Sequence, residues 1–282
     1  MRTHIVDTFA DERFAGNPAA VVPGPAFPPH EEMQAIAHDI GLPTTAFVVP
    51  IEPAAYRVRW FTPHAEINLC GHATIASARW LFGQDENAGA SSLRFVSDNG
   101  VLCTERVGDL VAIDLPKARL TVCDPPRGLL EALGTVAVSC AVSSDDVLVE
   151  LSSAEDVSAV RPDFAALARL PFRGHIVTSR GEPGVDFVSR TFFPSLGVNE
   201  DQVCVTAHCK LTPYWAERLG RRRLTAIQLS ERGGRLEVED AGERVRVLGS
   251  AVLRAGGPET ARETGEPRDR GPILVGEDGV GR

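Results

Sequence analysis

Two stretches of this sequence place a cysteine shortly after an arginine, an aromatic residue and a proline. In the first, residues 59–63 (RWFTP) lead to Cys70, and in the second, residues 190–194 (RTFFP) lead to Cys204. A helix-like segment follows each cysteine. The N–H groups at a helix N-terminus favour bound anions and lower the pKa of a thiol. The two stretches are therefore candidates for carboxylate binding and for proton transfer.

We interpret this repeat as an internal duplication, although the spacing from proline to cysteine differs between the copies. It predicts two related domains whose helix N-termini face each other across a cleft. A proline-rich stretch around Pro116 and Pro125-Pro126 marks the linker. We therefore expect domains at residues 1–116 and 117–254. Residues 255–282 lack apolar periodicity, so we expect a disordered tail there.

The composition and net charge argue against several classes of protein. The chain has 282 residues and a net charge of -9, with no long basic stretch, which argues against nucleic-acid binding. The basic cluster at residues 221–223 follows an apparent helix end, where cations complement the helix dipole. No apolar run is long enough to span a membrane and no signal-peptide core is present, so we expect a cytoplasmic protein. The six cysteines form no C-x-x-C pair, which predicts free thiols and no metal site.

The periodicity of apolar residues predicts the elements that position these motifs. Amphipathic or apolar helices are expected at residues 31–40, 70–82, 163–169 and 207–219, with the second one buried against a sheet. Alternating apolar residues predict strands. These lie at residues 5–9, 19–22, 46–49, 56–60, 93–96, 111–115, 135–142, 147–151, 176–178, 186–190, 224–229, 235–239 and 245–253.

Several segments resemble the PhzF family of phenazine-biosynthesis isomerases and phenazine biosynthesis-like domain proteins. They are residues 6–9 (VDTF), 14–22 (FAGNPAAVV), 59–63 (RWFTP), 69–74 (LCGHAT), 199–201 (NED), 214–215 (YW) and 232–234 (RGG). The resemblance covers residues 1–253 in the same order. It implies an α/β, diaminopimelate-epimerase-like fold with two pseudo-equivalent domains, each a curved β-sheet around a central helix. It also implies a homodimer.

The activity that the resemblance implies is an isomerisation of a small carboxylate by a proton shift, without a cofactor or metal. His72 matches the family's active-site histidine, and Asp201 matches its second-domain aspartate. The family normally has a catalytic Glu where this chain has Thr44. A neutral hydroxyl cannot act as a base near neutral pH, so this replacement predicts weakened or altered chemistry.

A second departure lies in the turn that the family uses to bind the substrate carboxylate. The usual Thr-Gly-Ser is Cys204-Val205-Thr206 here. We expect strain at Val205 if its position needs positive φ, and the valine methyls would obstruct an anion, while Thr206 still offers a hydroxyl. Gly71 and Asn17 also match family positions beside the cleft and are candidate substrate-binding residues, with a structural role in turns expected for Asn17 and Asp7.

Two further functions stay open. Cys70 and Cys204 could form the thiol pair of an epimerase, as in related two-thiol enzymes of this fold. The chain could also be a non-catalytic homologue with a binding role, because both the Glu and the Thr-Gly-Ser turn are replaced. His208 and Cys209 are weak metal-ligand candidates because no third ligand is evident. His64 and His175 are expected to be ordinary surface or loop residues.

Overall fold

The computed structural model describes residues 1–254, so the predicted disordered tail lies outside the described residues. The strands are β1 (His4–Thr8), β2 (Asn17–Pro23), β3 (Thr44–Glu52), β4 (Ala55–Phe61), β5 (Glu66–Ile67), β6 (Ser92–Ser97), β7 (Gly100–Val107), β8 (Leu110–Pro116), β9 (Thr121–Val122), β10 (Ser139–Val142), β11 (Asp146–Glu150), β12 (Gly174–Arg180), β13 (Phe187–Phe193), β14 (Val198–Asp201), β15 (Arg223–Gln228), β16 (Gly234–Asp240), β17 (Arg244–Gly249) and β18 (Ala251–Leu253). The helices are α1 (His30–Ile40), α2 (Gly71–Leu81), α3 (Leu129–Leu133), α4 (Ala154–Ala159), α5 (Phe164–Leu167) and α6 (Val205–Leu219).

The two halves of the chain repeat one pattern of strand pairing. In the first half, β2 is parallel to β3, β3 is antiparallel to β4, and β4 is parallel to β6, which continues antiparallel into β7 and β8. In the second half, β11, β12, β13, β15, β16 and β17 repeat these orientations in the same order. The mixed α/β class with a large sheet and few helices is as predicted.

The halves are joined through their sheets. Strand β17 pairs antiparallel with β8, and the last strand, β18, returns to pair antiparallel with β1. The division near residue 116 therefore crosses a continuous ladder of backbone hydrogen bonds. The domain boundary stays a prediction.

In each half of the chain, one long helix directly follows the repeated motif in the sequence. In α2, nine of eleven residues are buried, as the apolar sequence predicted, and the helix packs against β1, β2 and β8. Helix α6 packs against β16 and β17 and ends at Gly220, whose positive φ of 63° suits glycine. The main hydrophobic core contains residues of both helices. This arrangement packs both helices against the sheet.

Some elements differ from the sequence-based expectation. Helix α5 has only four residues, and Asp163, predicted to be helical, is its N-cap and accepts from the Ala166 N–H. Helices α3 and α4 were not predicted, because five or six residues carry too little periodicity. The prediction for His175 was wrong: it lies in β12 with no exposed surface, whereas His64 is exposed as expected.

Candidate functional site

The repeated motif holds the same ion pair in both halves. Arg59 on β4 binds Glu66 on β5 through two contacts of 2.7 Å. Arg190 on β13 binds Glu200 on β14 through contacts of 2.7 and 2.9 Å. A bidentate arginine–carboxylate pair fixes orientation as well as distance. Each pair thus anchors the short strand that leads into the following helix, α2 or α6.

Thr44, Cys70 and His72 meet at the N-terminus of α2. Cys70 is the N-cap residue, and its thiol donates to the Thr44 Oγ1 at 3.4 Å. The Cys70 Sγ also lies 3.4 Å from the His72 Nδ1. Thr44 is the first residue of β3 and is buried. The structure therefore brings together three of the predicted site residues of the first half.

Asp201 lies at the end of β14, in contact with a residue of the first half. The Asn17 side-chain amide donates to the Asp201 Oδ1 at 2.9 Å and to the Val203 carbonyl at 3.1 Å. The Val203 N–H also donates to this carboxylate oxygen, at 3.2 Å. Asn17 thus orients Asp201, while its own Oδ1 is buried without a partner among the described residues.

The second cysteine begins α6 in the same way that the first begins α2. Cys204 is the N-cap residue; its Sγ accepts from the Ala207 N–H at 3.4 Å and lies 3.3 Å from the Thr206 Oγ1. The Cys204 N–H donates to the Gln228 Oε1 at 2.9 Å, and the Gln228 amide donates to the Asp201 carbonyl at 2.6 Å. The sequence reasoning missed Gln228, although a polar residue directly after Ala226 and Ile227 was a usable signal.

The two helix N-termini touch through Val205 and Gly71. A Cβ atom added to Gly71 would lie 2.5 Å from the Val205 Cβ, closer than any real side chain allows. Val205 is buried and is the first residue of α6. We expected backbone strain at Val205 only if its φ were positive. Among the described residues, the non-glycine residues with positive φ are Phe9 and Ala54, so Val205 is not strained in this way. The valine methyls do fill the space in front of Gly71.

Burial sets the protonation of the site. It lowers the pKa of His72 to about 4 and, together with the Asp201 charge, raises the pKa of Cys70 to about 12. The pKa of Cys204 is raised further, again chiefly by burial. Burial also raises the pKa of Asp201 to about 6, against hydrogen bonds from Cys204, Val203 and Asn17 that lower it. At neutral pH the thiols are protonated, His72 is neutral, and Asp201 is the group closest to its titration point.

The remaining candidate residues make contacts that indicate a structural role. The His208 Nδ1 lies 2.7 Å from the Cys204 carbonyl, and its buried ring lies beside Phe187. Among residues 1–254, no group of three or more potential metal-ligating side chains is found. Asp7 binds Arg232 and Arg254, whose side chains tie the first strand to the second half. No helix in the described part is long and apolar enough to cross a membrane.

The sequence profile of phenazine biosynthesis-like proteins matches residues 6–257. The chain belongs to this family. A solved PhzF-family structure from Enterococcus faecalis is 42% identical with a TM-score of 0.85, covering 90% of this chain and 96% of that one. An "uncharacterized isomerase" of Pseudomonas aeruginosa is 48% identical over 252 residues, 89% of this chain and 96% of its own. The family resemblance seen in the sequence is confirmed.

More distant relatives agree on the fold. Mouse phenazine biosynthesis-like domain-containing protein 2 is 37% identical over 283 aligned residues, 91% of this chain and 98% of its own. A probable proline racemase from Agrobacterium radiobacter, 12% identical with a TM-score of 0.56 and covering 92% of this chain and 94% of that one, shares the fold alone. The predicted fold class is confirmed, and the isomerase names of close relatives support the predicted enzyme class.

Proposed function

We propose that this chain is a PhzF-like isomerase that moves a proton within a small carboxylate substrate without a cofactor. The observation that carries the proposal is Asp201, which matches the family aspartate and is held between Asn17 and Cys204 with its pKa raised to about 6. A general acid–base group works best when its pKa lies near the working pH. Asp201 therefore supplies one acid–base group of the proton shift, and Thr44 leaves the position of the family Glu without a second one.

His72 is the second group in this proposal. Its neutral imidazole can donate a hydrogen bond from one nitrogen and accept one at the other, so it can orient a substrate or return a proton. The contact with the Cys70 thiol at 3.4 Å restrains the ring. A neutral histidine and a titrating carboxyl group that both reach the substrate could together pass a proton between two of its atoms.

The substrate carboxylate would bind at the two helix N-termini, near the Gly71 N–H and the Thr206 hydroxyl. Val205 packs onto Gly71, so binding requires the two helix ends to separate or the valine to move. Asn17 would contribute its free Oδ1 to the same cleft. A small carboxylate, a homodimer and a cytoplasmic location stay predictions from the resemblance.

Each of the two alternative functions is favoured by one observation. The Val205–Gly71 contact favours a non-catalytic homologue, because it fills the space in which the anion would bind. The equivalent N-cap positions of Cys70 and Cys204 favour a two-thiol epimerase. Burial raises the pKa of both thiols, however, so neither is a thiolate in the resting protein. We therefore place the proton shift on Asp201 and His72.

The test substrate is trans-2,3-dihydro-3-hydroxyanthranilate, the small carboxylate that the best-characterised family member isomerises. Its isomerisation is measured with the wild-type chain and with Thr44→Glu, and deuterium incorporation from D2O is a second readout. Restoring the carboxylate should raise the rate by about 10²- to 10⁴-fold, the usual contribution of a general acid–base residue. Thr121→Glu, with the same charge change on an exposed residue of β9, should leave the rate unchanged.

The variants also separate the alternatives. Asp201→Asn and His72→Ala should each abolish turnover and deuterium incorporation, whereas Cys204→Ser should leave a measurable rate. Loss of activity in both Cys70→Ser and Cys204→Ser, with Asp201→Asn active, would establish the two-thiol reaction instead. A folded Thr44→Glu variant that incorporates no deuterium would refute the isomerase proposal for this substrate class.

A further inference from the structure

A second concavity lies at the opposite end of α6 from the helix N-termini. Its volume is about 530 Å³, within the range of small-molecule binding sites. Its walls are the segment that leaves β8, the C-terminal half of α6 and the loop that follows Gly220. Because α6 rises about 1.5 Å per residue, the lining residues from Pro213 to Gly220 lie about 12 to 22 Å from the N-terminus of α6. It is therefore separate from the candidate active site.

The lining of this concavity is basic in an acidic protein. The chain has a net charge of -9, yet the lining contains five cationic side chains and two carboxylates. A concave surface of one charge sign raises the local concentration of the opposite ion. The cations are Lys117, Arg119, Arg218, Arg221 and Arg222, and the carboxylates are Glu217 and Asp240.

Two of the five cations have no carboxylate partner in the described part of the chain. Arg119 is exposed and makes no ion pair or hydrogen bond among residues 1–254. The Arg222 Nε donates to the Asp240 backbone carbonyl at 2.7 Å, which leaves its charge uncompensated. Lys117, in contrast, binds the Asp240 carboxylate at 2.8 Å. The unpaired charge thus lies on two guanidinium groups, which suit phosphate geometry.

The helix dipole explains only part of this charge. Arg218 lies in the last turn of α6 and Arg221 shortly after its end, where cations complement the negative helix end. Their charges are also paired, Arg218 with Glu150 at 3.5 Å and Arg221 with Asp186. Lys117 and Arg119 belong to a different segment and are not accounted for by the helix end.

The remaining lining is partly apolar, and its Tyr214 ring is buried under Arg218. The Arg218 guanidinium carbon lies 3.5 Å from the centre of the Tyr214 ring, in a cation–π arrangement. Leu120, Val122 and Pro213 add apolar surface next to this stack. A ligand with an anionic end and a planar ring would use both parts of the lining, the guanidinium groups and the apolar surface.

We propose that this concavity binds a phosphorylated small molecule of the nucleotide type, with its phosphate between Arg119 and Arg222 and its ring against Arg218, Val122 and Pro213. This binding does not involve the candidate active site. The proposed ligand is therefore a second molecule, different from the substrate of the proton shift.

The test is titration calorimetry at low salt with ADP and with pyrophosphate as probes. ADP should bind at one site per chain and more tightly than pyrophosphate, because only ADP supplies a ring. The double variant Arg119→Gln/Arg222→Gln should bind ADP at least about tenfold more weakly, because each charge-assisted hydrogen bond contributes on that scale. Unchanged circular dichroism and melting temperature would show that the double variant is folded.

The matched control is Arg57→Gln/Arg94→Gln, which removes two exposed arginines of the first half. The control should bind ADP like the wild type, and so should His72→Ala, because His72 lies in the other cleft. Equal weakening by the control would show nonspecific attraction, and loss in His72→Ala would assign the ligand to the active site. Either result, or no saturable ADP binding, overturns the proposal.

Discussion

Replacing Asp201 by asparagine should make the folded chain more stable at neutral pH while removing its activity. The substitution keeps the shape of the side chain and an oxygen that accepts from the Asn17 amide and the Val203 N–H. It removes the charge, which burial opposes, and replaces the second carboxylate oxygen with an amide NH2. The pH-dependent part of the difference between Asp201→Asn and wild type therefore isolates the free-energy cost of holding an ionised carboxylate at this position.

The magnitude follows from the pKa of Asp201. Folding raises it from the ordinary value of 3.8 to about 6. Each pKa unit is worth about 1.4 kcal/mol, so ionisation costs the folded state up to about 3 kcal/mol. Because the folded pKa is the higher one, this cost is absent below about pH 4, grows as the pH rises through 6 and is constant above it.

The assay is urea unfolding of wild type and Asp201→Asn at about pH 4, 6 and 8. The two free energies of unfolding should agree near pH 4 and differ by up to about 3 kcal/mol at pH 8, with the variant more stable. Protonation of buried His72 and His208 destabilises both proteins below pH 6 and cancels in the difference. A variant that is no more stable than wild type at pH 8 would refute the assigned pKa. A variant that keeps its isomerase rate would refute the catalytic role.

Four further substitutions test the packing and the repeated ion pair. Gly71→Ala should lower the free energy of unfolding by about 1–3 kcal/mol in urea unfolding, because its Cβ would overlap Val205, and it should cost much less when introduced into a Val205→Gly background. Val205→Gly alone should lower the KM for the carboxylate substrate, and an unchanged KM would show that the valine does not obstruct the anion. Arg190→Met should lower the free energy of unfolding by about 3–5 kcal/mol, and Arg59→Met should lower it by under about 1 kcal/mol. The reason is that the Arg190 side chain is 10% exposed and the Arg59 side chain 25%. Equal losses of stability in thermal unfolding would contradict this reasoning.

The sequence predicted the elements with strong local patterns. The ends of α2 differ from the predicted 70–82 by one residue each, because its apolar residues and its preceding motif mark both ends. Helix α6 begins two residues earlier than predicted. The short helices α3 and α4 were missed because one turn of helix carries little periodicity. The burial of His175 was missed because burial depends on strands that pair with β12 from both sides.

The sequence named the residues of the candidate site but did not predict the contacts between its two halves. The family motifs placed Thr44, Cys70 and His72 in one site, and these three residues are in contact. The contact between Asn17 and Asp201 joins residues 184 positions apart, and no local pattern encodes such a distance. Whether these residues carry the reaction stays a prediction that the variants test.

By itself, the sequence determined the family, the mixed α/β class and the repeated motif, because these depend on residue types at short spacing. Only the tertiary structure decided that Val205 meets Gly71 and that Asp201 is buried beside Cys204. It also decided that Arg119 and Arg222 share one concavity. The physical reason is that packing distances and pKa values arise from desolvation and from neighbours distant in the chain, which form only when the two halves fold together.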